Sequence, residues 1–71
     1  MKLSARNQLK GTVVEIKEGA VNGIVKIDIG PAVVSATITL DSIRELGLHV
    51  GSPAYAVIKA TSVMVGIDTD S

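Results

Sequence analysis

The chain has no cysteine and a single histidine, His49, among its 71 residues. A domain this short buries only about 60% of the surface that its unfolded form exposes. Such domains ordinarily draw extra stability from disulfides, a structural metal or a partner chain. Disulfides and thiolate metal sites are excluded here, and one histidine cannot build a histidine-rich site. Association with further copies is the route that remains. The 46% hydrophobic content and mean hydropathy of +0.44 agree, because they leave much apolar surface for one small chain to hide.

That apolar content is almost wholly aliphatic, with Tyr55 the one aromatic, and it favours strands. Leu9–Lys17 is expected as a first strand, Thr12, Val14 and Ile16 alternating with Val13, Glu15 and Lys17. Glu18–Ala20 is expected as a turn. Ile24–Ile29 is expected as a second strand, with isoleucines on one face and Val25, Lys26 and Asp28 on the other; Asn22-Gly23 reads alternatively as a tight turn that starts it. Gly30-Pro31 breaks the run. Val33–Leu40 is a third strand with Val34, Ala36, Ile38 and Leu40 on one face. Asp41–Gly47 then carries a short-helix signature: Ser42 and Glu45 at capping-box spacing, Asp41 as a further cap, and Gly47 at the C-terminal left-handed position. Ile43 and Leu46 would face the core together. A turn at Val50–Pro53 precedes a fourth strand, Ala54–Lys59, and a fifth, Val63–Ile67, before a polar tail at Asp68–Ser71.

These expectations describe one domain over residues 1–71: all-β, a small five-stranded OB-like barrel with one short helix after the third strand. No internal repeat or low-complexity segment interrupts it. Met1–Lys10 lacks the apolar core of a signal peptide, and no run approaches the ~20 residues of a membrane span, so a cytoplasmic location with no membrane partner is expected. Formal net charge is zero, so any anion site must be built locally from a few converging groups.

The residues argue against catalysis. There is no cysteine nucleophile, one histidine to act as a base, scattered carboxylates, and no nucleophile-elbow or phosphate-loop pattern. Single-stranded nucleic acid needs stacking aromatics and a basic groove, which one tyrosine and balanced charge do not supply. A tetrahedral oxyanion fits better. It requires cationic, hydroxyl and N–H donors with few competing carboxylates. Ser4-Ala5-Arg6-Asn7-Gln8 offers a hydroxyl, a guanidinium and two amides without a carboxylate, and Lys59-Ala60-Thr61-Ser62 sets an ammonium beside two hydroxyls. Thr39 and Ser42 flank the start of the short helix. Each also has a structural reading: a solvated arm that pairs with another chain, a solvated strand end, and for Ser42 a helix cap and nothing more. Taken singly, the structural reading is the stronger for each.

Taken together, three segments resemble one family. Ser4–Gly11 (SARNQLKG), 37–48 (TITLDSIRELGL) and 56–64 (AVIKATSVM) are similar in content and order to the motifs of the Mop family, the molybdate-binding molbindins. The same domain is appended to molybdate-responsive regulators and transporter ATPases. The resemblance spans essentially the whole chain and is loosest at 18–35. It implies an OB-like barrel of the TOBE/Mop type, and a homo-oligomer, a hexamer built as a trimer of dimers, with molybdate or tungstate bound between subunits for storage, buffering or delivery. Residue by residue, it places Ser4, Arg6, Lys59, Thr39 and Ser42 at the oxyanion, with Ala5 and Ala60 contributing backbone N–H groups. Asn7 and Thr61 follow as weaker candidates that shape the pocket. A second class of oxyanion site near a symmetry axis matches no particular residue here. The rivals are an assembly module without anion binding and an OB-type nucleic-acid binder.

The need for partners is testable directly. Sedimentation of the purified chain at micromolar concentration is expected to give an assembly well above monomer mass; a stable monomer would contradict it.

Overall fold

The computed structural model describes residues 1–69; residues 70 and 71, the end of the expected polar tail, lie outside the described residues. Four strands and one helix follow in the order β1 (Asn7–Glu18), β2 (Asn22–Asp28), β3 (Val33–Thr39), α1 (Leu40–Glu45) and β4 (Pro53–Ile58), with a 3₁₀ turn at Ala60–Ser62. The strands form one antiparallel sheet in the order β3-β2-β1-β4.

The long first strand organises this sheet. Its N-terminal half, Asn7–Thr12, pairs with β4, and its C-terminal part, Thr12–Glu18, pairs with β2. Between Val13 and Glu15 the register slips by one, leaving Val14 as the extra residue of a bulge. A bulge bends the strand, sharpens its twist and resets which side chains point inward. Val13, 1% exposed, lies in the core, and Ile16 packs against the same core although three positions separate them. The uniform alternation expected for this strand is corrected accordingly. The turn after the helix knits onto the bulge: the Val13 N–H donates to the Ser52 carbonyl at 2.8 Å, and the Gly51 N–H donates to the Val13 carbonyl at 2.8 Å. Ser52 is buried, and its hydroxyl oxygen accepts from the His49 N–H at 3.0 Å, so no polar group is stranded there.

In β2 the faces differ from expectation. Val25 and Ile27 are buried and Ile29 packs on the core, while Ile24 and Asp28 are exposed and Lys26 reaches Glu15 at 3.5 Å. Position along the pleat decides the face, whatever the residue type. Asn22 and Gly23 belong to the strand itself and make no turn. In β3 the inward set Val34, Ala36, Ile38 and Leu40 is as expected.

The helix starts at Leu40, one residue before the expected Asp41, and its cap lies before both expected cap residues. Thr39 is its N-cap: the Oγ1 accepts from the Ser42 N–H at 3.1 Å and donates to the Ser42 hydroxyl at 2.9 Å. Ser42 therefore sits inside the first turn. At the other end Gly47 adopts φ +64, the left-handed conformation that glycine tolerates without strain. The Gly47 N–H donates to the Arg44 carbonyl and the Leu48 N–H to the Ile43 carbonyl, both at 3.0 Å, a Schellman closure. That closure brings Leu48 onto the core in place of Leu46, which is left exposed on the cap.

The fifth strand and the closed barrel are corrected as well. Residues 63–67 follow the 3₁₀ turn without joining a ladder, and β3 and β4 remain the two edges of a curled, open sheet. The β-branched sequence of this segment favours extended backbone, but a strand exists only where another strand accepts its hydrogen bonds. Met64, Val65 and Ile67 are 90%, 91% and 85% exposed.

At Gly11 the sheet has no room for a side chain. A Cβ there would overlap the Asp28 carbonyl oxygen and come within 2.9 Å of Ile27 Cγ2. Backbone cannot yield as a flexible side chain does, so Gly11→Ala is expected to cost about 1–3 kcal/mol, measured as a lower denaturation midpoint with unchanged slope.

Candidate functional site

The β1–β4 ladder brings two of the three motif segments together. Its pairs run from Thr12 opposite Pro53 to Asn7 opposite Ile58. Arg6 and Lys59 are the next residues beyond that last pair, on the two adjacent strands, and Ser4-Ala5 and Ala60-Thr61 follow them. Here the strands end: Arg6 lies in a bend, and Lys59, extended at φ −62 and ψ 139, caps the 3₁₀ turn. Ser4, Arg6, Lys59, Ala60 and Thr61 are exposed and Ala5 is half-buried. Within the turn the Ser62 N–H donates to the Lys59 carbonyl at 2.9 Å and the Val63 N–H to the Ala60 carbonyl at 3.3 Å. The N–H groups of Ala60 and Thr61 serve neither bond.

The electrostatics of this strand end are one-sided. Among the described residues the ion pairs are Lys26 with Glu15 and Arg44 with Asp41, so neither Arg6 nor Lys59 is paired with a carboxylate. Opposed like charges at the end of a ladder repel. The arrangement suits a group carrying negative charge and several acceptor oxygens. Guanidinium and ammonium supply charge-assisted bonds, while the Ser4 and Thr61 hydroxyls and free N–H groups complete the shell. No group of three or more His, Asp or Glu able to hold a bare metal ion occurs among the described residues.

Each of the two motif amides commits one of its two N–H donors within the chain. Asn7 Nδ2 donates to the Ile58 carbonyl at 3.3 Å, and Gln8 Nε2 donates to the Ala5 carbonyl at 3.2 Å. Both brace the chain's own backbone. The sequence counted them as donors to a ligand; nothing in their spacing distinguishes the two uses.

Thr39 and Ser42 do not join this cluster within one chain. Thr39 lies opposite Asn22 in the β2–β3 ladder, beside the end of β1 at Glu18. Asn7 is at the other end of that 12-residue strand, up to about 36 Å away at the ~3.3 Å rise of a strand. With the Thr39 proton given to Ser42, the Ser42 hydroxyl hydrogen is the one left to point outward.

The chain is similar to known proteins over nearly its whole length. Residues 3–65 match the model of the TOBE domain. A probable molybdenum-pterin-binding protein of Haemophilus influenzae is 62% identical over 69 residues, covering 96% of this chain and all of that protein. Among solved structures, a molybdate-binding protein from Sporomusa ovata superposes with TM-score 0.89 at 39% identity, covering 94% of this chain and 100% of that one. ModG, described as a cytoplasmic molybdate-binding protein and solved with molybdate bound, superposes with TM-score 0.90 at 42% identity, covering 96% of this chain and 49% of that one.

The cap gives a prediction independent of any ligand. Thr39→Ala removes the acceptor for the Ser42 N–H and is expected to cost about 1 kcal/mol, while Thr39→Ser retains most of it; equal midpoints for both variants would show that the cap contributes nothing. With a family model matching residues 3–65 and a full-length relative at 62% identity, the chain belongs to the TOBE-domain family and, within it, to the Mop proteins.

Proposed function

We propose that this protein binds molybdate as an intact oxyanion, at sites shared between identical subunits, and stores, buffers or delivers it in the cytoplasm without catalysing a reaction. The observation that carries this reading is that Arg6 and Lys59, two cations without carboxylate partners, stand just beyond the last pair of the β1–β4 ladder, in segments that also hold Ser4, Ala5, Ala60 and Thr61. A dianion between them replaces repulsion with two attractions. Its oxygens are saturated by hydroxyl and N–H donors, with no proton transfer and no metal–protein bond.

The distance separating Thr39 and Ser42 from this cluster supports a pocket completed by a neighbour. In that arrangement the helix start of one subunit faces the strand end of another, the Ser42 hydroxyl supplying a further donor; the Leu40 and Ser42 N–H groups are taken by the Val21 carbonyl and Thr39 Oγ1. The exposed apolar segment at 63–67, together with exposed Val21, Leu46 and Val50, supports a homo-oligomer, for which a hexamer is the expected form. Among the described residues no helix is long and apolar enough to cross a membrane. A purely structural assembly module would leave the facing cations without a use.

Charge does not separate molybdate from sulfate, so selectivity rests on cavity size and fixed donors. Tungstate matches molybdate in size and charge and is expected to bind equally well. Titration calorimetry with molybdate, tungstate, sulfate and phosphate is the decisive measurement: strong heat with the first two and weak heat with the others is expected. Absence of heat with molybdate, or equal affinity for sulfate, overturns the proposal. Arg6→Ala removes a charge-assisted bond of about 1.5–3 kcal/mol and is expected to weaken binding roughly tenfold to a hundredfold; unchanged affinity would put the ion elsewhere.

A further inference from the structure

We propose that Asn7 is a positioning residue that sets the gap between Arg6 and Lys59, and through that gap the selectivity for a large oxyanion over a small one. The inference rests on the molybdate reading above and adds a role for a side chain that is not itself a ligand.

Asn7–Ile58 is the last pair of the β1–β4 ladder, and the next rung would be Arg6 opposite Lys59. Both residues are cationic and have no carboxylate partner, so with no anion present their repulsion acts to part the strand ends. Terminal ladder residues fray readily even without such a force. Against it stands one side-chain bond. The Asn7 amide, half-buried, donates across the strands to the Ile58 carbonyl at 3.3 Å, the carbonyl of the residue immediately before Lys59. The bond therefore ties the carrier of one cation to the carrier of the other, one residue from each.

Gln8 adds a local brace on the other face of β1. Its amide donates to the Ala5 carbonyl at 3.2 Å and curls the arm that carries Ser4 and Arg6. It lies within one strand, so it shapes the arm but does not fix the distance across the gap. Of these two side-chain bonds, that of Asn7 is the one that spans the two strands, beside the backbone ladder. With the span fixed, the cavity between guanidinium and ammonium has one size. With the span loose, the two cations close on whatever anion is present, and a small oxyanion gains relative to a large one.

The test uses Asn7→Leu, which keeps a branched side chain of similar volume but has no donor, and Asn7→Gln, which keeps the amide on a longer stem. Molybdate and sulfate are titrated into each oligomer, and amide hydrogen exchange is followed in the anion-free proteins. In Asn7→Leu, molybdate affinity is expected to fall about tenfold and the molybdate-to-sulfate ratio to narrow by a similar factor. Exchange at the end of the β1–β4 ladder, residues 7–9 and 56–58, should rise while the rest of the sheet keeps its protection. Asn7→Gln is expected to recover part of the ratio. If both anions weaken equally in Asn7→Leu, or if its ratio and strand-end exchange match those of the unsubstituted protein, the positioning role is overturned. If the unsubstituted protein gives no heat with molybdate, the selectivity claim falls with the reading beneath it. The exchange data then still decide whether Asn7 holds the strands together.

Discussion

One strand has to satisfy two neighbours. A flat 12-residue strand would lie between its partners along its whole length, and the sheet would be a plane with one poorly covered face. Here β1 gives its first half to β4 and its second half to β2, changing partner around Thr12 and Val13. Those backbone groups are obligatory hydrogen-bonding groups, so the bend between the two ladders must leave none stranded. The Val14 bulge supplies the bend, and the carbonyl of Ser52 and N–H of Gly51 satisfy Val13. The curl that results wraps Val13, Val25, Ile27, Ile43 and Ala56 into one cluster. It also sends the two ends of β1 to opposite parts of the molecule, the cationic arm at one end and the helix start at the other.

Regular stretches were legible from the sequence and irregular ones were not. β3 alternates without interruption, and its inward residues could be read off directly. In β1 a period of two cannot register an inserted residue, so Val13 and Ile16 were assigned to opposite faces although both meet the core. At the helix, the strong capping pattern at Ser42 concealed a better cap three residues earlier. Once Thr39 takes that position the last turn moves back, and Leu48 replaces Leu46 against the core. Val63–Ile67 has the composition of a strand, but composition carries no information about whether a partner edge is at hand.

The candidate site divides in the same way. The cations and hydroxyls were visible as carboxylate-free clusters, and the family resemblance joined segments more than 50 residues apart in sequence. What joins them physically is ladder register, a property of pairing that no local pattern encodes. Donor inventory was the weaker guide. Asn7, Gln8 and Thr39 each possess a donor, yet each spends it on the chain's own backbone or on a neighbouring hydroxyl. Asn7 and Gln8 brace the strand end next to Arg6, while Thr39 caps the helix at the far end of β1.

The bulge at Val14 also makes one looped-out residue a requirement of the architecture. Its side chain is 43% exposed, so its chemical identity matters little. Its place outside the ladder matters a great deal, because it shifts the phase of the strand by one residue. Were β1 drawn straight with Val14 kept in the ladder, Val13 and Ile16, three positions apart, could no longer both face inward; one would turn to water. The Arg6 end and the Glu18 end of the strand would change their relative facing at the same stroke. One residue outside the ladder thus fixes the geometric relation between a cationic arm and a helix at opposite ends of one strand.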